Sequence, residues 1–371
     1  MIVRGDARKI PLRDRTVQCV VTSPPYFQLR DYQCGPRQIG LEPAPEQYVA
    51  ALVEVFREVR RVLRDDGVLW LVLGDSYNAA GRNGHGSRIG CKQGTNRASA
   101  ARADLTRPNA PRLKPKDLLG IPWRVALALQ EDGWRLRADV IWAKPNPMPE
   151  PVRDRPTRSH EYVFLLTKRR CYFYDAGAIS EPAVSDHPSA NLLRRRPGPA
   201  WGNRGNATFW NDIGGRRNRR DVWNIPSEPT PVAHYAAFPT ALAKLCILAG
   251  SRCGDLVLDP FLGSGATGEA AERLGRRWVG IELSAEYAAL ARRRTAQAGL
   301  PFSSRPRSGP LSGPRSGRSG IGLNGSPEGR SLWGKPGLGG SEPARGGAPI
   351  EAAALGAVKE LKEIIPYKLN R

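Results

Sequence analysis

Leu256-Val257-Leu258-Asp259-Pro260-Phe261-Leu262-Gly263-Ser264-Gly265 reads as a short apolar strand running into a glycine-rich turn, with a helix over 267–274 behind it. In open sheets wound in both directions, ligands bind at such junctions, outside the carboxyl ends of the strands. Gly263 and Gly265 carry no Cβ, so backbone can come close to a ligand. The next apolar run, Trp278 to Ile281, ends at Glu282. An acid there can accept hydrogen bonds from both hydroxyls of a ribose. Gly-Ser-Gly is too short for the dinucleotide fingerprint, and no Gly-Lys-Ser/Thr ending follows to cradle phosphates. An uncharged nucleoside with an amino-acid tail therefore fits better than a nucleotide. Asp259 can bond the ammonium group of that tail, directly or through water. The plain structural alternative is a tight turn and a surface Glu.

Working outward, strand and helix patterns alternate. Residues 17–21 form an apolar strand, and 46–64 a helix with Tyr48, Leu52, Val55, Val59 and Val62 on one face. Asp65-Asp66-Gly67 ends that helix, and Val68 to Leu73 is a near-continuous apolar strand. A helix follows over 117–131 with Leu118, Ile121, Val125 and Leu129 inward, then strands at Ala138 to Trp142 and Val163 to Leu166. Helices at 239–250 and 284–297 complete the pattern. This alternation predicts an α/β fold with a doubly wound, mostly parallel sheet covered on both faces. Residues 76–116 are polar and Gly-rich, and 185–224 are rich in Arg, Asn and Trp, so both read as long inserted functional loops. The folded domain thus spans 1–300.

Residues 301–348 are Gly, Pro, Ser and Arg with few apolar side chains. Such a segment cannot bury enough surface to offset its ordering entropy, so it is expected to be a disordered tail. Within 349–371, Leu355, Val358, Leu361 and Ile365 fall at helical spacing, and Pro366 stops the run. A short amphipathic helix is expected there, either docking or transient.

A second feature is Ser23-Pro24-Pro25-Tyr26, at the tip of the 17–21 strand. Prolines fix φ and carry no N–H, so the backbone presents carbonyl acceptors. Ser23 adds a hydroxyl acceptor and Tyr26 an aromatic face. Together they suit an exocyclic amino group on a planar base. The same tetrapeptide also fits a Pro-Pro turn ending an ordinary strand.

The 371 residues carry a formal charge of +22, which predicts a polyanionic partner, most simply nucleic acid. Six Cys without short paired spacings and four His suggest neither zinc nor a disulfide framework. No apolar run is long enough to span a membrane and no signal-peptide core is present, so a cytoplasmic location is expected.

The tetrapeptide at 23–26 together with Asp259-Pro260-Phe261-Leu262-Gly263-Ser264-Gly265 resembles the amino-methylating DNA methyltransferases, which use S-adenosyl-L-methionine. With the tetrapeptide first and the glycine loop last, the order resembles the beta arrangement of that family. The resemblance covers roughly residues 1–297 and implies a Rossmann-like methyltransferase fold. Gly5-Asp6-Ala7 is similar to a further cofactor motif, with Asp6 facing the adenine end. Ala237-Phe238-Pro239 is similar to the motif packing beside the methionine moiety. The resemblance implies catalytic roles for Ser23, Pro24, Pro25 and Tyr26. It implies cofactor contacts for Asp6, Ala7, Phe238, Pro239, Asp259, Pro260, Phe261, Gly263, Ser264, Gly265 and Glu282.

The chemistry is consistent with those residues. An exocyclic amino lone pair is delocalised into its ring and nucleophilically weak. Acceptors at Ser23 and the Pro24 carbonyl would bias the nitrogen toward sp³ character, aimed at a sulfonium methyl. The base must leave the duplex stack, with Tyr26 stacking on it. Phe27 reads as packing. A carbon-5 cytosine mechanism would need a Pro-Cys pair. None of Cys19, Cys34, Cys91, Cys171, Cys246 or Cys253 follows a proline, and Cys19, Cys246 and Cys253 read as core or structural. In the family, Ser at the first position of the tetrapeptide goes mainly with N4-cytosine, and Asp or Asn with N6-adenine. The expected activity is therefore N4-cytosine methylation, with N6-adenine as the alternative.

Lys144-Pro145-Asn146-Pro147-Met148-Pro149 and His160-Glu161-Tyr162 also resemble the family, and the first, with Lys144 and Asn146 in it and Arg153, Arg155 and Arg158 soon after, can track a phosphate backbone or line the pocket of a flipped base. In 185–224, Arg194, Arg195, Arg196, Arg204, Arg216, Arg217, Arg219 and Arg220 are interleaved with Trp201, Phe209, Trp210 and Trp223. That mixture suits groove reading or base stacking and is the expected target-recognition segment. Residues 76–116, with Arg82, Arg88, Lys92 and Arg97, are the second candidate. The expected partners are double-stranded DNA, a cognate restriction endonuclease and a second copy of the chain. Methylation of RNA or of a protein glutamine, and a non-catalytic basic nucleic-acid-binding protein, are the competing readings.

Overall fold

The computed structural model describes residues 1–78, 113–147, 149–150, 152–182, 216–228 and 238–298. Arg82, Arg88, Lys92, Arg97, Arg194 to Arg196, Arg204, Trp201, Phe209 and Trp210 lie outside the described residues, as do the expected tail and terminal helix.

The main strands are β1 Ile2–Arg4, β2 Val17–Thr22, β3 Leu63–Leu73, β4 Arg135–Ala143, β5 His160–Thr167, β8 Val222–Asn224, β9 Leu256–Asp259 and β10 Arg277–Glu282. These eight form one mixed sheet in the order β1-β10-β9-β2-β3-β5-β4-β8. A two-stranded ribbon pairs β6 Glu181–Pro182 with β7 Arg216–Arg217. The helices are α1 Pro45–Val62, α2 Ile121–Glu131, α3 Thr240–Gly250, α4 Ala266–Arg273 and α5 Ala285–Ala298. From β1 to β3 all neighbours are parallel. β5 runs antiparallel to both β3 and β4, and β8 is parallel to β4.

The sequence explains the layers. Every residue of β2 is buried, as is Val68 to Leu73 of β3, because helices cover both sheet faces. On α1, Tyr48, Leu52, Val55, Phe56, Val59 and Val62 recur at helical spacing and are buried. Pro45 occupies the first turn, where a missing N–H costs nothing. Gly250 ends α3 with backbone against β2 and β3: a Cβ there would lie 2.5 Å from Val68 Cγ2 and 2.8 Å from Cys19 Sγ.

Several boundaries differ from the sequence expectation. β3 begins at Leu63, so Asp65-Asp66-Gly67 lies inside the strand, at a break in register against β2. Helix α2 begins at Ile121, not 117, because Gly120 adopts φ +67° and Pro122 fits only the first turn. Leu118 is therefore 51% exposed instead of inward. Trp223 is buried in β8 and packs 5.8 Å from Trp70, so it belongs to the core and not to a DNA-reading surface. Cys19 and Cys246 are buried as expected, whereas Cys253 is exposed in the turn before β9. No helix among the described residues is long and apolar enough to cross a membrane.

β2 and β9 are neighbours although distant in sequence. From that pair the chain proceeds to β3 on one side and to β10 on the other. Their carboxyl ends flank the crevice where doubly wound sheets bind ligands.

Candidate active site

A cavity of about 940 Å³, including the open space at its mouth, lies at that crevice. Its floor is built from strand ends. Gly5, Asp6 and Ala7 follow β1, and Ser23, Pro24 and Pro25 follow β2. Pro260, Phe261, Leu262, Gly263 and Ser264 follow β9, and Glu282 ends β10. Phe238 closes one side just before α3. Residues 23–25 of the first motif and 260–264 of the second therefore share one space, and Tyr26 is not among the lining residues.

Glu282 Oε2 accepts from Gly263 N at 2.8 Å, and its Oε1 accepts from Ser284 N at 2.8 Å. These bonds fix the carboxylate at the cavity wall. Burial raises its pKa, and the backbone donors oppose that shift. Gly263 itself sits at φ +53°, which favours glycine. Asp6 is gripped by Arg8, whose backbone N and guanidinium donate to its carboxylate at 2.8–3.2 Å. Burial works to raise the Asp6 pKa, but the Arg8 hydrogen bonds and charge outweigh it and leave it below its usual value.

Three expected cofactor contacts, Asp259, Gly265 and Pro239, lie outside the cavity lining. Asp259 is 2% exposed and does not line the cavity. Its Oδ1 accepts from Thr22 Oγ1 at 2.6 Å and Phe261 N at 3.0 Å, and its Oδ2 from Thr267 Oγ1 at 2.7 Å. It ties β2, the glycine loop and α4 together. Burial pushes its carboxyl up to about 6, against those three donors. Gly265, at φ +90°, approaches α5 and not a ligand: a Cβ would meet Ala291 at 3.1 Å. Pro239 caps the start of α3, outside the cavity.

The tetrapeptide is held on both sides. Tyr48 Oη donates to the Pro25 carbonyl at 2.8 Å, so the acceptors expected there narrow to Ser23 and Pro24. Phe27 is buried 5.6 Å from Tyr48, a packing role. Tyr26 turns its hydroxyl to Glu161 Oε2 at 2.5 Å, and Ser23 Oγ donates to Tyr26 Oη at 3.4 Å. Glu161 Oε1 in turn pairs with Lys144.

Lys144 is thereby linked to the tetrapeptide through Glu161. Asn146 is engaged at both ends of its amide with the Ser227 backbone. Arg216 donates to the hydroxyl and carbonyl of Ser180, Arg217 to Glu181, and Arg219 to the Ile179 carbonyl. These bonds staple the β6–β7 ribbon and its surroundings.

Sequence reasoning missed the remaining wall of Tyr32, Cys34, Arg37, Gln38, Ile39 and Tyr287. Gln38 folds this loop on itself, accepting from Tyr32 N and Cys34 N and donating to the Arg30 carbonyl. Tyr32 then meets Tyr287 edge-on at 5.7 Å. No periodic signal marks such a loop.

The cavity fits S-adenosyl-L-methionine. It has a fixed acid at a strand end for a ribose, a Cβ-free loop for close approach, and flat apolar walls at Phe238, Phe261 and Ile39.

Comparison with known proteins agrees with this geometry. Residues 17–293 match the family model described as DNA methylase. The Type II methyltransferase M.SmaI of Serratia marcescens is 51% identical over 296 residues, covering 79% of this chain and 89% of that protein. M.Cfr9I of Citrobacter freundii is 46% identical over 295 residues, covering 78% and 85%. A putative DNA modification methylase from Thermus thermophilus, solved with S-adenosyl-L-methionine, superposes with a TM-score of 0.51 at 26% identity, covering 81% of this chain and 95% of that one. PvuII DNA methyltransferase, described as cytosine-N4-specific, shares the fold with a TM-score of 0.52 at 18% identity over 79% and 85% of the two chains. The chain therefore belongs to the N6/N4 family of DNA methylases, enzymes that take their methyl group from S-adenosyl-L-methionine.

Proposed function

We propose that this methylase acts on the N4 amino group of a cytosine flipped out of duplex DNA. The observation that carries the reading is that Ser23 and Pro24 line the same cavity as Gly263 and Glu282. An amino group held at Ser23 would therefore sit beside a cofactor held at Glu282. S-adenosyl-L-methionine supplies a methyl group on a sulfonium that is already electrophilic, so no covalent enzyme intermediate is needed.

The residues divide the work as follows. Glu282 accepts from the ribose hydroxyls, Asp6 and Ala7 face the adenine end, and Phe238 packs beside the methionine moiety. Pro260, Phe261, Gly263 and Ser264 line the cofactor along the loop. Ser23 and the Pro24 carbonyl accept the two N–H bonds of the target amino group and orient its lone pair. Pro25, fixed by Tyr48, sets the turn, and Tyr26 offers its ring to the flipped base. The serine at position 23, in place of an acid or amide, supports cytosine over adenine.

The proposal further assigns 1–300 as the catalytic domain, 185–224 as the target-recognition segment and 76–116 as the second DNA-contacting segment. A cognate restriction endonuclease and self-association of the chain complete it.

Transfer of labelled methyl to duplex DNA, followed by nucleoside digestion, tests the base. N4-methylcytosine is the expected product. N6-methyladenine would overturn the cytosine assignment, and label on RNA or protein alone would overturn the substrate.

A further inference from the structure

Ser23, Tyr26 and Glu161 form a directed chain. Ser23 Oγ donates to Tyr26 Oη at 3.4 Å, and Tyr26 Oη donates to Glu161 Oε2 at 2.5 Å. Both donors point from the cavity toward a carboxylate. Glu161 Oε1 pairs with the Lys144 ammonium, which also lies 4.3 Å from the ring centre of Trp142. Residues from three separate segments meet here because β5 runs backwards. Its first residues lie beside the last ones of β3 and β4, with Tyr162 opposite Leu73 and His160 opposite Ala143. Gly74 leaves the necessary room: a Cβ there would stand 2.7 Å from Tyr26 Cε2 and 3.2 Å from Glu161 Cδ. Burial, then the charge of Glu161, hold the Tyr26 phenol well above its usual range. Its hydroxyl thus stays protonated at neutral pH and can accept one proton while passing on another.

Amino methylation creates a proton that must leave. We propose that Glu161 receives this proton from the methylated amino group, relayed through Ser23 and Tyr26. The inference rests on the reading of Ser23 as acceptor for the target amino group. As the N–C bond forms, the S–C electron pair stays on sulfur and the nitrogen acquires a positive charge. Its proton passes to Ser23 Oγ while Ser23 hands its own to Tyr26 Oη and Tyr26 hands its own to Glu161 Oε2. Both hydroxyls end neutral, the methylamino nitrogen ends neutral, and Glu161 ends as a carboxylic acid that returns its proton to solvent. Lys144 balances the resting carboxylate. Glu161 touches neither base nor cofactor; it is a positioning and relay residue.

The test is Glu161→Gln, which still accepts from Tyr26 but takes no proton. The titratable groups facing Glu161 are Tyr26 and Lys144 from neighbouring elements and His160 beside it, which also feels Arg158. His160→Gln therefore serves as the control. In single-turnover methyl transfer, Glu161→Gln is expected to be slower by about 10²-fold, the usual scale of general-base help. The wild type and His160→Gln are expected to lose rate at acidic pH, and Glu161→Gln is not. Calorimetry should show cofactor and DNA affinities within about threefold of wild type.

A wild-type rate would overturn the relay, as would a slow variant with an unchanged pH profile, which would leave Glu161 only holding Tyr26 in place. Loss of the acidic fall-off in His160→Gln, or loss of cofactor affinity in Glu161→Gln, would overturn it as well. Failure of the underlying reading looks different: Ser23→Ala would then retain activity whatever Glu161→Gln does.

Discussion

Replacing Asp259 separates a loop buttress from a cofactor ligand. In Asp259→Ala, Thr22 Oγ1 and Phe261 N lose their acceptor, while Thr267 Oγ1 keeps the Val21 carbonyl at 3.2 Å. Two orphaned donors at about 1–3 kcal/mol each, plus a small void, give a loss of about 3–5 kcal/mol. That is a large part of the net stability of a domain. Asp259→Asn keeps the oxygen for Thr22 and Phe261, and its amide can donate to Thr267 Oγ1, whose own hydrogen goes to Val21. Its cost is expected below about 1 kcal/mol.

The pH dependence follows from the raised pKa. Asp259 titrates at about 6 in the fold and at about 4 in the unfolded chain. Its stabilising contribution is therefore complete below about pH 4 and lost as pH rises through about 6. Two units correspond to about 3 kcal/mol. Urea unfolding of wild type and Asp259→Asn from about pH 4 to 7 should show wild type losing up to that amount relative to the variant. Calorimetry should find cofactor affinity in Asp259→Asn within about threefold of wild type. A charge-assisted bond to an ammonium group is worth about 1.5–3 kcal/mol, so a roughly 10- to 100-fold weaker cofactor affinity in Asp259→Asn would refute the buttress role.

Other variants probe the rest of the frame. Glu282→Gln should weaken cofactor binding by about 10- to 100-fold on the same scale of charged hydrogen bonds, measured by calorimetry; unchanged affinity would remove the ribose role. Gly250→Ala tests the packing of α3 on the sheet. Alanine for glycine in a helix ordinarily gains about 0.5–1 kcal/mol. Here the added methyl meets Val68 and Cys19 closer than 3.0 Å, so a loss of about 1–3 kcal/mol is expected, seen as a melting temperature several degrees lower. A higher melting temperature would contradict the packing.

The elements that carry the site were legible because their signals are local. β2 and β9 are apolar runs ending in turn residues, and α1 shows its buried stripe directly. The motifs at 23–26 and 259–264 sit at strand ends, so their meeting follows from a doubly wound sheet. What was not legible depends on distant partners. Nothing in Asp259 itself reveals that Thr22 and Thr267 will claim its oxygens. Trp223 lies among residues with the composition of a nucleic-acid surface, yet the pairing of β8 with β4 buries it, while Ser180 and Glu181 accept from the neighbouring Arg216, Arg217 and Arg220. β1 is only three residues long, too short for any period. Glu161 belongs to a stretch that resembles the family, but its contact with Tyr26 arises from the antiparallel setting of β5, which no local pattern encodes.

The central claim is that one cavity holds two separable jobs, an amino-group cradle at Ser23 and a cofactor cradle at Glu282. Single-turnover methyl transfer by Ser23→Ala, paired with calorimetric titration of S-adenosyl-L-methionine, tests it most directly. The account predicts transfer slowed by about 10²- to 10³-fold, the cost of one well-placed polar contact, with cofactor affinity within about threefold of wild type. Transfer at the wild-type rate, or a loss of cofactor binding that matches the loss of rate, would contradict it.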